Sequence, residues 1–120
     1  MRISLLDNID RDEVEHLRLY RLGVFENSSY EFVEMYAGEN YLPHYHNNSE
    51  AKFHFIFGEG KITLDGVEKQ YKKGDSFIIA KGMSHGFSPA TDTLLLTIQT
   101  PPIKDPITGK EDIHFIDKAD

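Results

Sequence analysis

The chain contains no cysteine and no tryptophan. Without cysteine there is neither a disulfide framework nor a thiolate metal site, so any bound ion must be held by nitrogen and oxygen ligands. Long apolar runs are missing too. Those present are of strand length, far short of the roughly 20 residues needed to span a bilayer, and the amino terminus shows no charged-then-apolar pattern of a signal peptide. Positive charge is scarce: 13 Lys and Arg stand against 20 Asp and Glu, for a net charge of −7. Affinity for nucleic acid comes largely from basic residues that neutralise phosphates, so a polyanionic partner is excluded from the leading readings. These absences describe a cytoplasmic protein with no membrane and no nucleic-acid partner. Internal repeats, low-complexity segments and linkers are absent as well, and 120 residues suffice for one domain with one core.

What is present is a succession of short strand patterns separated by turn residues. Ile3-Ser4-Leu5-Leu6 is a short strand candidate. Asp10-Arg11-Asp12-Glu13 carries a capping-box signal for one short N-terminal helix through about Leu17, and His16 in this charged patch reads as a solvated surface residue. Leu17 to Leu22 alternates as a half-buried strand ending at Gly23, and Tyr30 to Ala37 follows the Asn27-Ser28-Ser29 turn as another strand. Pro43 removes a backbone donor, so Tyr41 to His46 belongs at an edge or at the start of its pairing. Phe53 to Phe57 is an aromatic strand. Asp65-Gly66, flanked by Lys61 to Leu64 and Val67 to Tyr71, is the strongest hairpin signal, because both turn residues tolerate positive φ. Ser76 to Ala80, Thr93 to Gln99 and a final edge strand at Ile113-His114-Phe115-Ile116 complete the set. Many short strands with frequent turns predict an all-β sandwich or barrel, a single domain over residues 1–120.

The candidate chemistry lies in three histidines. His44 and His46, two residues apart on a strand, present their imidazoles to the same face. A meander returning to that place brings His85 as a third nitrogen ligand. Imidazole suits iron, manganese, nickel, zinc and copper alike, so the ligands imply a divalent metal without naming it. His54 and His114, each alternating against apolar neighbours, are expected to face away from the cavity.

These residues carry a family resemblance. Gly38-x5-His44-x-His46, an acidic residue near position 50 and Gly58-x-Gly60 resemble the first signature motif of the cupin superfamily; Gly74-Asp75-x4-Ala80-x-Gly82-x2-His85 resembles the second. Ala80 stands where a Pro is usual, and Pro89 where an Asn is common. The resemblance covers roughly residues 31–99. It implies a double-stranded β-helix, or jelly roll, enclosing a divalent metal held by His44, His46 and His85, usually with a glutamate. Counting forward from His46 puts that glutamate at Glu50, whereas counting back from Gly58 puts the position at Ala51, and one residue in a strand swaps faces. Core burial favours Ala51 inward, since Phe53, Phe55 and Phe57 then also point inward at roughly 1.5–3 kcal/mol each. A bulge after Glu50 is the alternative that makes Glu50 the fourth ligand.

Such a site implies a small metal-binding cupin acting on a small oxygen-rich molecule by dioxygenase-, isomerase- or lyase-type chemistry. The alternative is a non-catalytic cupin that binds or senses a small ligand. Phe53, Phe55, Phe57, Phe77 and Phe87 are expected to supply an apolar wall. Exposed sheet edges, at the N-terminal strand or near Ile113 to Phe115, suggest a homodimer.

Overall fold

The structure, a computed structural model, describes residues 11–14, 16–104 and 108–115. It contains two antiparallel sheets and, among the described residues, no helix. The strands of the larger sheet are β1 (Arg11–Val14), β2 (Leu17–Phe25), β3 (Ser28–Met35), β5 (Glu50–Phe57), β8 (Ser76–Ile79) and β10 (Thr93–Thr100). Those of the smaller are β4 (Tyr41–Tyr45), β6 (Gly60–Leu64), β7 (Val67–Tyr71), β9 (His85–Pro89) and β11 (His114–Phe115). Hydrogen bonding orders them β1-β2-β3-β10-β5-β8 and β11-β4-β9-β6-β7. Sequence neighbours such as β4 and β5 therefore lie in different sheets, the double-stranded β-helix arrangement.

Period-two patterning builds the interior. In β10, Thr93, Leu95, Thr97 and Gln99 are buried while Leu94, Leu96 and Ile98 are only half-buried. In β5, Ala51, Phe53 and Phe55 point inward and Glu50 and Lys52 are exposed. The Phe55 ring from the large sheet stacks on Tyr71 from the small one, with centroids 4.0 Å apart and planes within 13°. The Tyr71 hydroxyl is satisfied by Thr93 Oγ1 at 2.8 Å. Val33, Met35, Ile62, Ile79, Phe87 and Leu95 complete the core around this pair; each buried side chain of this size stabilises the fold by about 1.5–3 kcal/mol.

Turn chemistry sets the connections. Asp65 (φ 47°) and Gly66 (φ 82°) close the β6–β7 hairpin as a turn that needs positive φ at both positions. Two glycines are required for space instead. A Cβ on Gly60 would lie 2.7 Å from the Pro89 Cα, and one on Gly86 would lie 2.9 Å from the Tyr41 carbonyl and 3.1 Å from the Pro43 ring. Gly86 thus lets β4 lie close against β9 where Pro43 interrupts the ladder, in the register shift between Tyr41 and His44.

Three expectations need correction. The capping-box segment is not a helix: Arg11–Val14 is a strand paired with Leu17–Tyr20, so sheet pairing overrides a local signal of a few residues. Gly23 does not end its strand. β2 runs on to Phe25, absorbing a register shift between Arg21 and Gly23, and the chain reverses at Glu26 and Asn27, both with positive φ. Phe57 does not join the core: the β5–β10 register shifts between Leu94 and Leu95, the extra β5 residue breaks the alternation, and Phe57 is 49% exposed. The Ile3–Leu6 strand candidate lies outside the described residues.

Candidate metal centre

β4 and β9 are neighbours in the smaller sheet, and their register sets His44 directly opposite His85. His46 follows two residues beyond His44 on the same side. The ring centroids are 4.3 Å apart for His44 and His85, 5.1 Å for His44 and His46, and 5.1 Å for His46 and His85. One ring nitrogen of each lies within 4.8 Å of the others. Two segments almost forty residues apart in sequence are also tied through the backbone, where Gly82 N–H donates to the His46 carbonyl at 2.7 Å.

Each imidazole is held from behind. His46 Nδ1 donates to the Asp112 carbonyl at 2.5 Å, His85 Nδ1 donates to the Met83 carbonyl at 3.3 Å, and His44 is bonded to the Leu42 backbone. A carbonyl partner on Nδ1 fixes the tautomer and leaves Nε2 as the free lone pair, the arrangement that orients ligating histidines. Phe53 packs against the His85 ring at 5.3 Å and Phe115 against His44 at 5.6 Å. Burial, reinforced by the neighbouring imidazoles, pushes His85 down to about 3 and His44 to about 4. His46 is lowered by the same desolvation. All three are therefore neutral near pH 7, the form in which imidazole binds a metal. The donor set fits a divalent first-row ion: three neutral nitrogens converge, and open coordination positions remain.

Glu50 does not belong to this group. It is exposed on the outer side of β5, whereas Ala51 is 1% exposed on the inner side. No bulge lies between Glu50 and Phe53, which pair residue by residue with Thr100 to Thr97, so the carboxylate ligand that the resemblance implies is not brought to the histidines. His54 is on the outer side of β5, its Nδ1 2.7 Å from Ser76 Oγ. His114 stacks on Tyr45 at the sheet edge, and His16 is exposed, its carbonyl accepting from the Tyr41 hydroxyl at 2.7 Å.

The histidines open on a cavity of about 600 Å³ lined by both sheets and by Pro102, Ile103, Lys104, Gly109, Glu111 and Ile113, well within the size of small-molecule sites. Of the five phenylalanines expected to wall it, Phe53 and Phe87 do so, while Phe55 and Phe77 pack in the core. Two acidic side chains escaped the sequence reading. Asp112 accepts the backbone N–H of Asn47 at 2.9 Å and of Asn48 at 2.6 Å; desolvation pushes its carboxyl up, but these bonds outweigh it and hold it below the usual range. Asp65 Oδ1 accepts the Ser84 N–H at 2.8 Å, bracing the residue before His85. Each is a carboxylate in a turn or loop, and no spacing rule links it to the histidine it supports.

A family model described as a cupin domain matches residues 31–98. An uncharacterized protein of Aquifex aeolicus is 32% identical over 89 residues, 73% of this chain and 72% of that one. Among solved structures, an RmlC-like cupin from Shewanella frigidimarina superposes with a TM-score of 0.72 at 22% identity, covering 84% of this chain and 91% of that one. A double-stranded β-helix protein from Klebsiella pneumoniae gives 0.74 at 18%, covering 98% and 99%, and a predicted oxalate decarboxylase from Thermotoga maritima gives 0.72 at 17%, covering 83% and 99%. With that family match enclosing both histidine segments and this fold built around them, the chain belongs to the cupin domain family.

Proposed function

We propose that this chain is a metal-dependent cupin in which His44, His46 and His85 hold a divalent first-row ion, iron, manganese, nickel, zinc or copper, beside a pocket for a small oxygen-rich molecule. The observation that carries the reading is the convergence of three neutral imidazoles, His46 and His85 buried and His44 half-buried, on one cavity. Bound there, the ion supplies Lewis-acid or O₂-binding chemistry of the dioxygenase, isomerase or lyase type. The chain's own part is positional. The carbonyls of Asp112 and Met83 aim two of the rings, and Phe53, Phe87 and Leu95 line the space with apolar surface that excludes water. The likeness to a predicted oxalate decarboxylase supports a small oxygen-rich substrate. A single domain acting in the cytoplasm as a homodimer completes the reading, with the sheet edges at β1 and β11 as the surfaces that pairing would cover.

One observation favours a second reading. Among the described residues no carboxylate joins the three imidazoles, which suits a cupin that binds a ligand without turnover. Elemental analysis of protein purified without chelator is expected to give about one first-row metal per chain, and the His44→Ala, His46→Ala double variant none; metal retained by that variant ends the proposal. Oxygen uptake and substrate depletion with the loaded protein then separate enzyme from binder, since a binder shows thermal shifts with ligand and no turnover.

A further inference from the structure

The cavity wall facing the histidines carries a polar row in otherwise apolar surroundings. Sheet register sets Arg21 of β2, Glu31 of β3 and Thr97 of β10 side by side, and Gln99, two residues further along β10, shares their face. All four line the cavity that holds the three imidazoles. Thr97 and Gln99 are buried, at 3% and 8% exposure. Their bonding is preassembled: Ser29 Oγ donates to Gln99 Oε1 at 2.9 Å, Gln99 Nε2 donates to Thr97 Oγ1 at 3.2 Å, and Gln99 is also bonded to the Glu31 carboxylate. Burial, offset in part by Arg21 and Gln99 and reinforced by Glu111, raises the Glu31 carboxyl above its ordinary range. An ionisable group desolvated on a cavity wall is costly to keep there and marks a candidate binding group.

The chemistry of the row narrows its ligand. A carboxylate accepts at about four positions, so Glu31 keeps acceptor capacity beyond its bond to Gln99, while Arg21 supplies donors in a fixed fork. The charges lining this part of the cavity balance, Arg21 and Lys104 against Glu31 and Glu111. A second carboxylate on a ligand would meet that wall with no net attraction and with Glu31 opposing it. A hydroxyl both donates and accepts, and matches the mixed row.

We propose that Arg21, Glu31, Thr97 and Gln99 form a hydroxyl-reading subsite that takes the polyhydroxylated tail of a ligand whose carboxylate or carbonyl head faces His44, His46 and His85. The ligand class is a sugar-like hydroxy acid. This inference rests on the metal-binding reading above.

Calorimetry on the nickel-loaded protein with D-gluconate and glycolate tests it, because both carry the same 2-hydroxycarboxylate head and only gluconate has hydroxyls further along. Gluconate is expected to bind at least about tenfold tighter, the value of one hydrogen bond to a charged group. Glu31→Gln and Arg21→Gln are each expected to reduce that preference to about twofold or less, with the loss confined to gluconate and nickel still bound at one per chain. Nickel retained and glycolate bound with no preference for gluconate overturns the subsite alone, as does a preference that survives both substitutions. Failure to retain nickel overturns the metal-binding reading and this inference with it.

Discussion

On the five-stranded wall of the cavity, burial strips protons from imidazole, taking His44 to about 4 and His85 to about 3. On the six-stranded wall, the same desolvation holds the Glu31 carboxyl toward its protonated form. Burial disfavours charge of either sign, but the chemical results differ. The histidines become neutral lone-pair donors aimed by backbone carbonyls, so their cost is recovered when a cation arrives. Glu31 is instead compensated in place, by Arg21 and by Gln99. One wall is incomplete without an ion; the other is a network already bonded within the chain.

Removing a donor from the first wall should have the largest effect. His85→Ala is expected to weaken nickel binding by more than about 100-fold, exceeding the range for an outer-sphere change, as read by competition with a chromophoric chelator. Next comes the acid response of the metal-free protein. The folded pKa values of His44 and His85 lie below the ordinary imidazole value of 6.5, so the unfolded chain takes up protons first as pH falls. Stability present above pH 6.5 is then lost toward pH 4, with a slope of about 1.4 kcal/mol per pH unit for each histidine. Urea unfolding at a series of pH values measures this, and His85→Ala should reduce the slope by one histidine's share, about 1.4 kcal/mol per pH unit. Third is the support behind His46. Asp112→Ala frees the Asn47 and Asn48 amides and loosens the carbonyl that orients His46, for an expected 10–100-fold loss of metal affinity. A variant that binds nickel as well as the parent would show that the carboxylate clamp does not orient the ring.

The two walls also differed in how far the sequence disclosed them. His44 and His46 share a face by period two, and His85 falls in a segment whose glycines and turns are locally readable, so the three-imidazole set could be assembled from short-range rules. An all-β sandwich or barrel followed from the same alternation and from hairpin signals such as Asp65-Gly66, and the jelly roll from the resemblance of the two histidine motifs to cupins. Arg21, Glu31 and Thr97 belong to three strands that become neighbours only through long-range pairing, and a lone Glu in an alternating strand reads by default as its solvent side. The register of β5 was decided by burial, with Ala51 inward. The bulge that turns Phe57 outward depends on the partner strand β10 and left no mark within β5 itself. The N-terminal capping box failed for the complementary reason: a local signal of four residues was outweighed by pairing with β2.

The smallest expected effect lies on the second wall and carries the opposite sign. Because the folded pKa of Glu31 is raised above the ordinary glutamate value of 4.5, the unfolded chain ionises first as pH rises. Stability that Glu31 contributes below that value is lost as pH rises through its raised pKa. Glu31→Gln removes this titration while keeping the shape and one acceptor oxygen, so the stability difference between variant and parent should move in favour of the variant as pH increases. Nickel affinity should change by less than about threefold, since Glu31 is not among the ligand group. Comparing Glu31→Gln and His85→Ala over the same pH series isolates the two walls by sign: the first should remove a loss of stability as pH rises above 4.5 and spare the metal, the second a loss as pH falls below 6.5, with metal binding weakened as well. A Glu31→Gln variant that lost nickel as fully as His85→Ala would mean that the two walls act as one site, with the carboxylate reaching the ion.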